Sequence, residues 1–225
     1  MDEALIHGAL IHGALIHEAL IHGAETAVTC IVVKGRGQGV ADMSRMILSR
    51  LDAPGVRFVV PVSDGPGWYT ARAIDPLTDV TRGELADSVA VLAGLVAQSR
   101  GPVVLAGFSQ GACLIAEYLF RHGPVAGACL FTGCRVGTRA DDLPMADLTG
   151  MPVYASCGDA DPWIPAGAFH DLLGDLTRAG ARVRSDMFPG RAHAVTRTEL
   201  DALAAMLTAV GAGMAVHLGD GDVFA

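Results

Sequence analysis

The chain has 225 residues, 51% of them apolar, which is enough to bury one sizeable core. A formal charge of −8, from 16 Lys and Arg against 24 Asp and Glu, excludes the basic footprint of a nucleic-acid binder. No polybasic segment suggests an anionic membrane surface, and the five cysteines (Cys30, Cys113, Cys129, Cys134, Cys157) contain no Cys-x-x-Cys. They indicate neither a disulfide framework nor a zinc site, and a reducing cytoplasm is the simplest compartment.

Residues 4–23 are four copies of a five-residue unit, Ala-Leu-Ile-His followed by Gly or Glu. As a signal peptide the repeat lacks a basic leader, because the chain opens Met1-Asp2-Glu3. As a stable membrane insertion it is interrupted by His7, His12, His17, His22 and Glu18 and has no cationic flank. As a metal site it fails on geometry: a five-residue step turns a helix by roughly 140° and alternates faces in a strand, so successive histidines never share a side. A metal-sequestering module is the outlying alternative. The repeat reads as an extension over 1–25 outside the fold, frayed or loosely helical, and apolar enough to drive self-association as a homodimer.

From Thr26 onward short apolar runs alternate with longer amphipathic stretches. Strands are expected at 29–33, 56–61, 103–106, 125–131, 151–156 and 182–188, with helices at about 40–51, 82–99, 112–120, 166–179 and 198–210. Strands separated by helices mean crossovers, hence an α/β fold with a mostly parallel sheet covered on both faces. A single domain over 26–210 follows, then a Gly-rich tail over 211–225. In such sheets the active site lies in loops at the carboxyl ends of strands.

Between the third of these strands and its helix stands Gly107-Phe108-Ser109-Gln110-Gly111. A Gly-x-Ser-x-Gly in that context is a nucleophile elbow, whose sharp turn holds the hydroxyl clear of the sheet and whose glycines avoid the flanking elements. The first strand leads into Lys34-Gly35-Arg36-Gly37-Gln38-Gly39. Val40 spoils a Gly-x-Gly-x-x-Gly and no Gly-Lys-Ser/Thr follows, so the loop reads as a turn whose backbone N–H groups supply half of an oxyanion hole.

An elbow serine needs a base, and in this architecture the order is Ser, acid, His. His122 closes the elbow helix far from the serine, His170 lies inside an amphipathic helix, and His217 is in the tail. Only His193 follows the last strand directly. For the acid, Asp159 and Asp161 both follow the preceding strand, and an acidic residue there is also a routine N-cap. Trp68 and Trp163 fall on loops at the active-site face, where they either line an acyl or alcohol pocket or merely pack the loops. Only about 132–150 is available for a lid, too little for a cap domain, which argues for an open cleft.

Gly107-x-Ser109-x-Gly111, Gly158-x-x-Asp161-x-x-Ile164-Pro165 and Gly190-x-x-His193 together resemble the phospholipase/carboxylesterase family, over roughly residues 27–210. The resemblance implies the α/β-hydrolase fold without a large lid domain and a Ser109-His193-Asp161 triad, with Asp161 rather than Asp159 as the acid. It implies oxyanion donors from the Gln110 and Arg36 N–H groups, and no metal or organic cofactor. Lys34 and Cys157 stand where the family often carries histidine, and Trp68-Tyr69 resembles its aromatic pair, a candidate substrate contact with Trp163. The activity implied is hydrolysis of a small-molecule carboxylic ester of short to medium chain length through an acyl-enzyme. A thioesterase or lysophospholipase-type deacylase is the runner-up, and a non-catalytic binder of a small carbonyl ligand is the alternative from another class.

Overall fold

A computed structural model describes residues 6–11, 14–21 and 28–217. Eight strands form one sheet: β1 (Ile6–Ile11), β2 (Ala14–Ile21), β3 (Val28–Val33), β4 (Val56–Pro61), β5 (Val103–Phe108), β6 (Gly127–Phe131), β7 (Pro152–Gly158) and β8 (Arg182–Phe188). The spatial order is β1-β2-β4-β3-β5-β6-β7-β8. From β4 to β8 every neighbouring pair is parallel. The helices are α1 (Val40–Met46), α2 (Asp79–Gln98), α3 (Gln110–His122), α4 (Ala166–Arg178) and α5 (Arg197–Gly211).

The central parallel strands β3, β5 and β6 are buried along their whole length and largely apolar on both sides, as a sheet covered by helices on both faces requires. Along β3, Ile31 and Val33 join a core with α2, α3 and α4, while Cys30 and Val32 join a second core with α1 and α5. Helix α2 buries Thr81, Leu85, Ser88, Val89, Leu92 and Leu95, a stripe at helical spacing, and Thr78 caps its start by accepting the Thr81 N–H at 3.1 Å. The α1 stretch ends earlier than its apolar pattern suggests. At Ile47 the backbone leaves helical geometry (φ −122°, ψ −67°) and continues as a 3₁₀ turn over Leu48–Arg50.

The repeat departs from the expectation of a frayed or loosely helical extension outside the fold. Its segments β1 and β2 pair antiparallel, His7 opposite Glu18, and β2 pairs antiparallel with β4, His17 opposite Val60. The physical reason is the outer edge of β4: a nearly buried strand would otherwise present a row of unpaired backbone groups, and an Ile-rich segment is well suited to satisfy them. His12, His22 and the tail over 218–225 lie outside the described residues. Among the described residues no helix is long and apolar enough to cross a membrane, and no cluster of three His, Cys, Asp or Glu could hold a metal ion. The far edge, β8, is half exposed and carries Arg182, Arg184 and Asp186, charges that discourage edge-to-edge pairing.

The segment after β6 is tied down by a buried ion-pair network. Glu117, wholly buried on α3, accepts from Arg135 Nε at 2.8 Å and from the Val136 N–H at 3.0 Å, and also pairs with Arg121. Arg135 donates further to Asp175 on α4 at 3.1 Å and to the Pro144 carbonyl at 3.0 Å, its guanidinium 3.9 Å from the Phe120 ring centroid. Removing one partner of such a pair strands a buried charge. Arg135→Met is expected to lower unfolding free energy by about 3–5 kcal/mol in urea titrations, and a loss below about 1 kcal/mol would contradict this assignment.

Candidate active site

The turn from β5 into α3 places Ser109 at φ 56°, ψ −122°, a positive φ that only a tightly held non-glycine residue sustains. Its N–H donates to the Phe131 carbonyl at 2.9 Å, and its carbonyl accepts the Cys113 N–H at 3.0 Å. A Cβ at Gly107 would lie 2.7 Å from the Gly111 carbonyl carbon, and one at Gly111 would lie 2.1 Å from the Val33 carbonyl oxygen. The helix therefore starts in contact with the ends of two strands, and neither position accepts a side chain.

Ser109 and His193 line one cavity of about 490 Å³, together with Gly35, Arg36, Phe108 and Gln110. His193 is half buried, with its Nδ1 2.7 Å from Asp161 Oδ2 and its ring centroid 4.7 Å from that of Phe108. Asp161 is buried, and its other oxygen accepts the Trp163 and Ile164 N–H groups at 2.8 and 3.0 Å. It thus caps the turn before α4 and meets the imidazole at once. Asp159 does neither. Its Oδ1 accepts the Gly190 N–H at 2.6 Å, pinning the β8–α5 loop.

That loop is held from below as well. Arg191, two residues before His193, donates to buried Glu199 at 2.6 Å and to Thr132 Oγ1 at 3.1 Å, and its guanidinium lies 4.6 Å from the Phe188 ring centroid. Glu199 also accepts from Ser156 and closes a capping box with Thr196 at the start of α5. Thr132 is the second non-glycine residue at positive φ, 58°, and its N–H donates to the Ser156 carbonyl at 2.7 Å. A tight Gly158 completes the seat, since a Cβ there would sit 2.0 Å from the Arg191 carbonyl oxygen.

On the opposite wall, the Gln110 side chain clamps the 65–69 loop, accepting the Trp68 N–H at 2.9 Å and donating to the Tyr69 carbonyl at 2.8 Å. As the first residue of α3, Gln110 has an N–H without a partner inside the helix. The Gly35 N–H is taken by Gln38 Oε1 at 2.9 Å, and the Arg36 guanidinium holds the Thr70 and Ala71 carbonyls. Lys34 is buried, its ammonium 5.5 Å from the Trp68 ring centroid, and burial holds its pKa below the usual lysine range.

The expected aromatic wall divides. Tyr69 and Trp163 line the cavity, Trp163 with 65% of its surface exposed. Trp68 instead packs behind it, its indole N–H donating to the Lys34 carbonyl at 2.8 Å. Of the remaining histidines, His122 stacks on Tyr118 at the end of α3, and His170 and His217 are exposed. Phe108, Arg191 and the Gln110 side chain were not singled out by sequence, because contacts across 42 residues (Gln110 to Trp68) leave no local spacing signal.

Residues 70–210 match the model of the dienelactone hydrolase family, a span containing the elbow, Asp161 and His193. The chain belongs to the dienelactone hydrolase family. It has the α/β-hydrolase fold, and the likeness read from the three motifs stands. MhqD of Bacillus subtilis (strain 168), a hydrolase by name, is 29% identical over 103 residues; the match spans 46% of this chain and only 50% of that protein. Among solved structures, a phospholipase/carboxylesterase from Dyadobacter fermentans DSM 18053 superposes with TM-score 0.74 at 23% identity, covering 92% of this chain and 99% of that one. A Mesorhizobium loti carboxylesterase gives 0.69 at 21% (89% and 98% covered), and Zea mays acyl-protein thioesterase 2 gives 0.68 at 15% (87% and 98%). These likenesses speak to the fold of this dienelactone hydrolase family member.

The close approach at the elbow gives a stability test. Gly111→Ala must push α3 off β3, an overpacking cost of about 3 kcal/mol or more. Thermal melts are expected to show Tm lowered by roughly 6 °C or more; an unchanged Tm would mean that the approach is looser than 2.1 Å.

Proposed function

We propose that this protein is a serine hydrolase of short- to medium-chain carboxylic esters, working through an acyl-enzyme. The observation that carries the reading is the 2.7 Å contact of His193 with buried Asp161, opening into the same cavity as a serine at positive φ. Ser109 Oγ attacks the ester carbonyl carbon while His193 Nε2 takes its proton. The Asp161 carboxylate fixes the ring by accepting from Nδ1–H and stabilises the imidazolium. The Arg36 and Gln110 N–H groups receive the negative charge that develops on the carbonyl oxygen; one such donor is worth about a hundred- to thousandfold. The alkoxide leaves with the proton from His193, and water, activated by the same ring, then releases the acid.

The 132–150 segment, pinned by Arg135 on α3 and α4, contributes no residue to the cavity wall, where exposed Trp163 stands. That favours small dissolved esters over long-chain lipids. A thioester would be attacked by the same atoms, so relative turnover of matched thioester and oxygen-ester decides between them. The five buried free thiols fit a reducing cytoplasm.

Ser109→Ala is expected to lower kcat on a nitrophenyl ester by roughly five to six orders of magnitude. Asp161→Asn should cost about ten-thousandfold, while Asp159→Asn stays within about tenfold of wild type. If Ser109→Ala kept a tenth of wild-type activity, or the two aspartates exchanged rank, the assignment would fail. Across an acyl-length series, preference for the longest chains would count against an open cleft.

A further inference from the structure

Cys113 and Cys134 are 21 residues apart in sequence and meet under the candidate site. Cys113 stands one helical turn after Ser109 on α3, and Cys134 follows β6, three residues after the Phe131 whose carbonyl accepts the Ser109 N–H. Their sulfurs are 3.9 Å apart, and the Cys134 N–H donates to Cys113 Sγ at 3.3 Å. A disulfide needs about 2.05 Å, so the sulfurs must approach by a little under ~2 Å.

The pair also lies in a partition. Cys113 lines the 490 Å³ cavity with Ser109, whereas Cys134 lines an adjoining cavity of about 520 Å³. Ala73 and Ile74 divide between the two in the same way, as do Ile164 and Pro165. A small molecule in either cavity therefore has one sulfur in its wall. No other cysteine shares this setting. Cys30 and Cys129 lie in the core beneath α1 and α5, and burial pushes the Cys157 thiol up to about 12.

The two sulfurs are chemically unequal. The hydrogen bond from the Cys134 thiol, joined by the Cys134 backbone N–H, favours the thiolate of Cys113 and lowers its pKa against the opposing effect of burial. The same contact raises the pKa of Cys134. Beside Cys113 lies the buried Tyr69 hydroxyl, which meets no hydrogen-bond geometry with any described residue and is placed to donate to a sulfur anion. One member is thus suited to attack and the other to resolve.

We propose that Cys113 and Cys134 are an oxidisable dithiol, which closes to a disulfide when a small hydroperoxide enters the candidate active-site cavity. Cys113 Sγ attacks one peroxide oxygen, the O–O bond breaks, and the departing oxygen leaves with the thiol proton as water or alcohol. The resulting sulfenic acid is attacked by Cys134 Sγ; the S–O bond breaks and hydroxide leaves with the second thiol proton as water. Two thiols lose two electrons and two protons, and the peroxide accepts them. The new bond would anchor the first turn of α3 to the β6 loop, beside the carbonyl that holds Ser109.

The test uses the full chain, reduced with dithiothreitol and then exposed to hydrogen peroxide. Intact mass is expected to fall by about 2 Da, and a non-reducing peptide map should join Cys113 to Cys134, both changes reversed by dithiothreitol. Cys134→Ser should instead give a sulfenic acid at Cys113 that dimedone traps. Ser109→Ala should behave as wild type, so the result stands apart from whether Ser109 cleaves an ester. An unchanged mass in folded wild-type protein, a crosslink between other cysteines, or dimedone on another cysteine would overturn the proposal.

Discussion

The structure depends on how closely the start of α3 approaches the sheet. At Gly111 the helix backbone lies where a Cβ would be 2.1 Å from the Val33 carbonyl oxygen, and at Gly107 the strand end meets the same helical turn. That contact forces Ser109 into a left-handed conformation, at a cost of order 1–3 kcal/mol that the surrounding packing must meet. Helix α3 is correspondingly buried from Gln110 to Phe120, and the Ser109 N–H is spent on the Phe131 carbonyl. With both backbone groups engaged, the hydroxyl is the one part of the residue left to face the cavity.

The second half of the site is brought up by loops rather than by secondary structure. Asp161 divides its two oxygens, one for the N–H groups before α4 and one for His193, so the turn that shapes the acid also aims it. Beneath His193 the Arg191–Glu199 pair reaches across to Ser156 and Thr132. Strained Thr132 follows β6 as strained Ser109 follows β5, and Arg191 bonds the former. Backbone strain therefore sits at the ends of neighbouring central strands, where the chain must leave the sheet abruptly.

Most of the scaffold was legible because β-branched runs such as Val103–Phe108 and stripes such as Leu85, Val89, Leu92 and Leu95 encode their periods locally. The elbow was legible for the same reason: two glycines around a serine between strand and helix report a steric constraint within five residues. The repeat was misjudged because a five-residue period matches neither strand nor helix, and what orders it is the open edge of β4, some forty residues downstream. The sequence left Trp68 open between lining the pocket and packing the loops, because an aromatic residue in a loop does not reveal which way it turns; the Lys34 carbonyl decides that. Asp159 and Asp161 could not be ranked from the chain alone, since both end the same strand and both bond backbone N–H groups. The Glu117–Arg135 pair and the two meeting cysteines span 18 and 21 residues, and long-range partners of that kind carry no local signature.

The central claim is that one hydroxyl, Ser109, is the reactive atom and that backbone N–H groups from the β3–α1 loop and from the start of α3 face the oxygen it creates. A crystal structure of the protein after reaction with an alkyl phosphonate fluoride measures this most directly. The account predicts a single phosphonyl group on Ser109 Oγ, its phosphoryl oxygen within hydrogen-bond distance of the Arg36 and Gln110 backbone N–H groups and His193 turned toward the adduct. An adduct on any other side chain, or a phosphoryl oxygen pointing away from both donors, would contradict it.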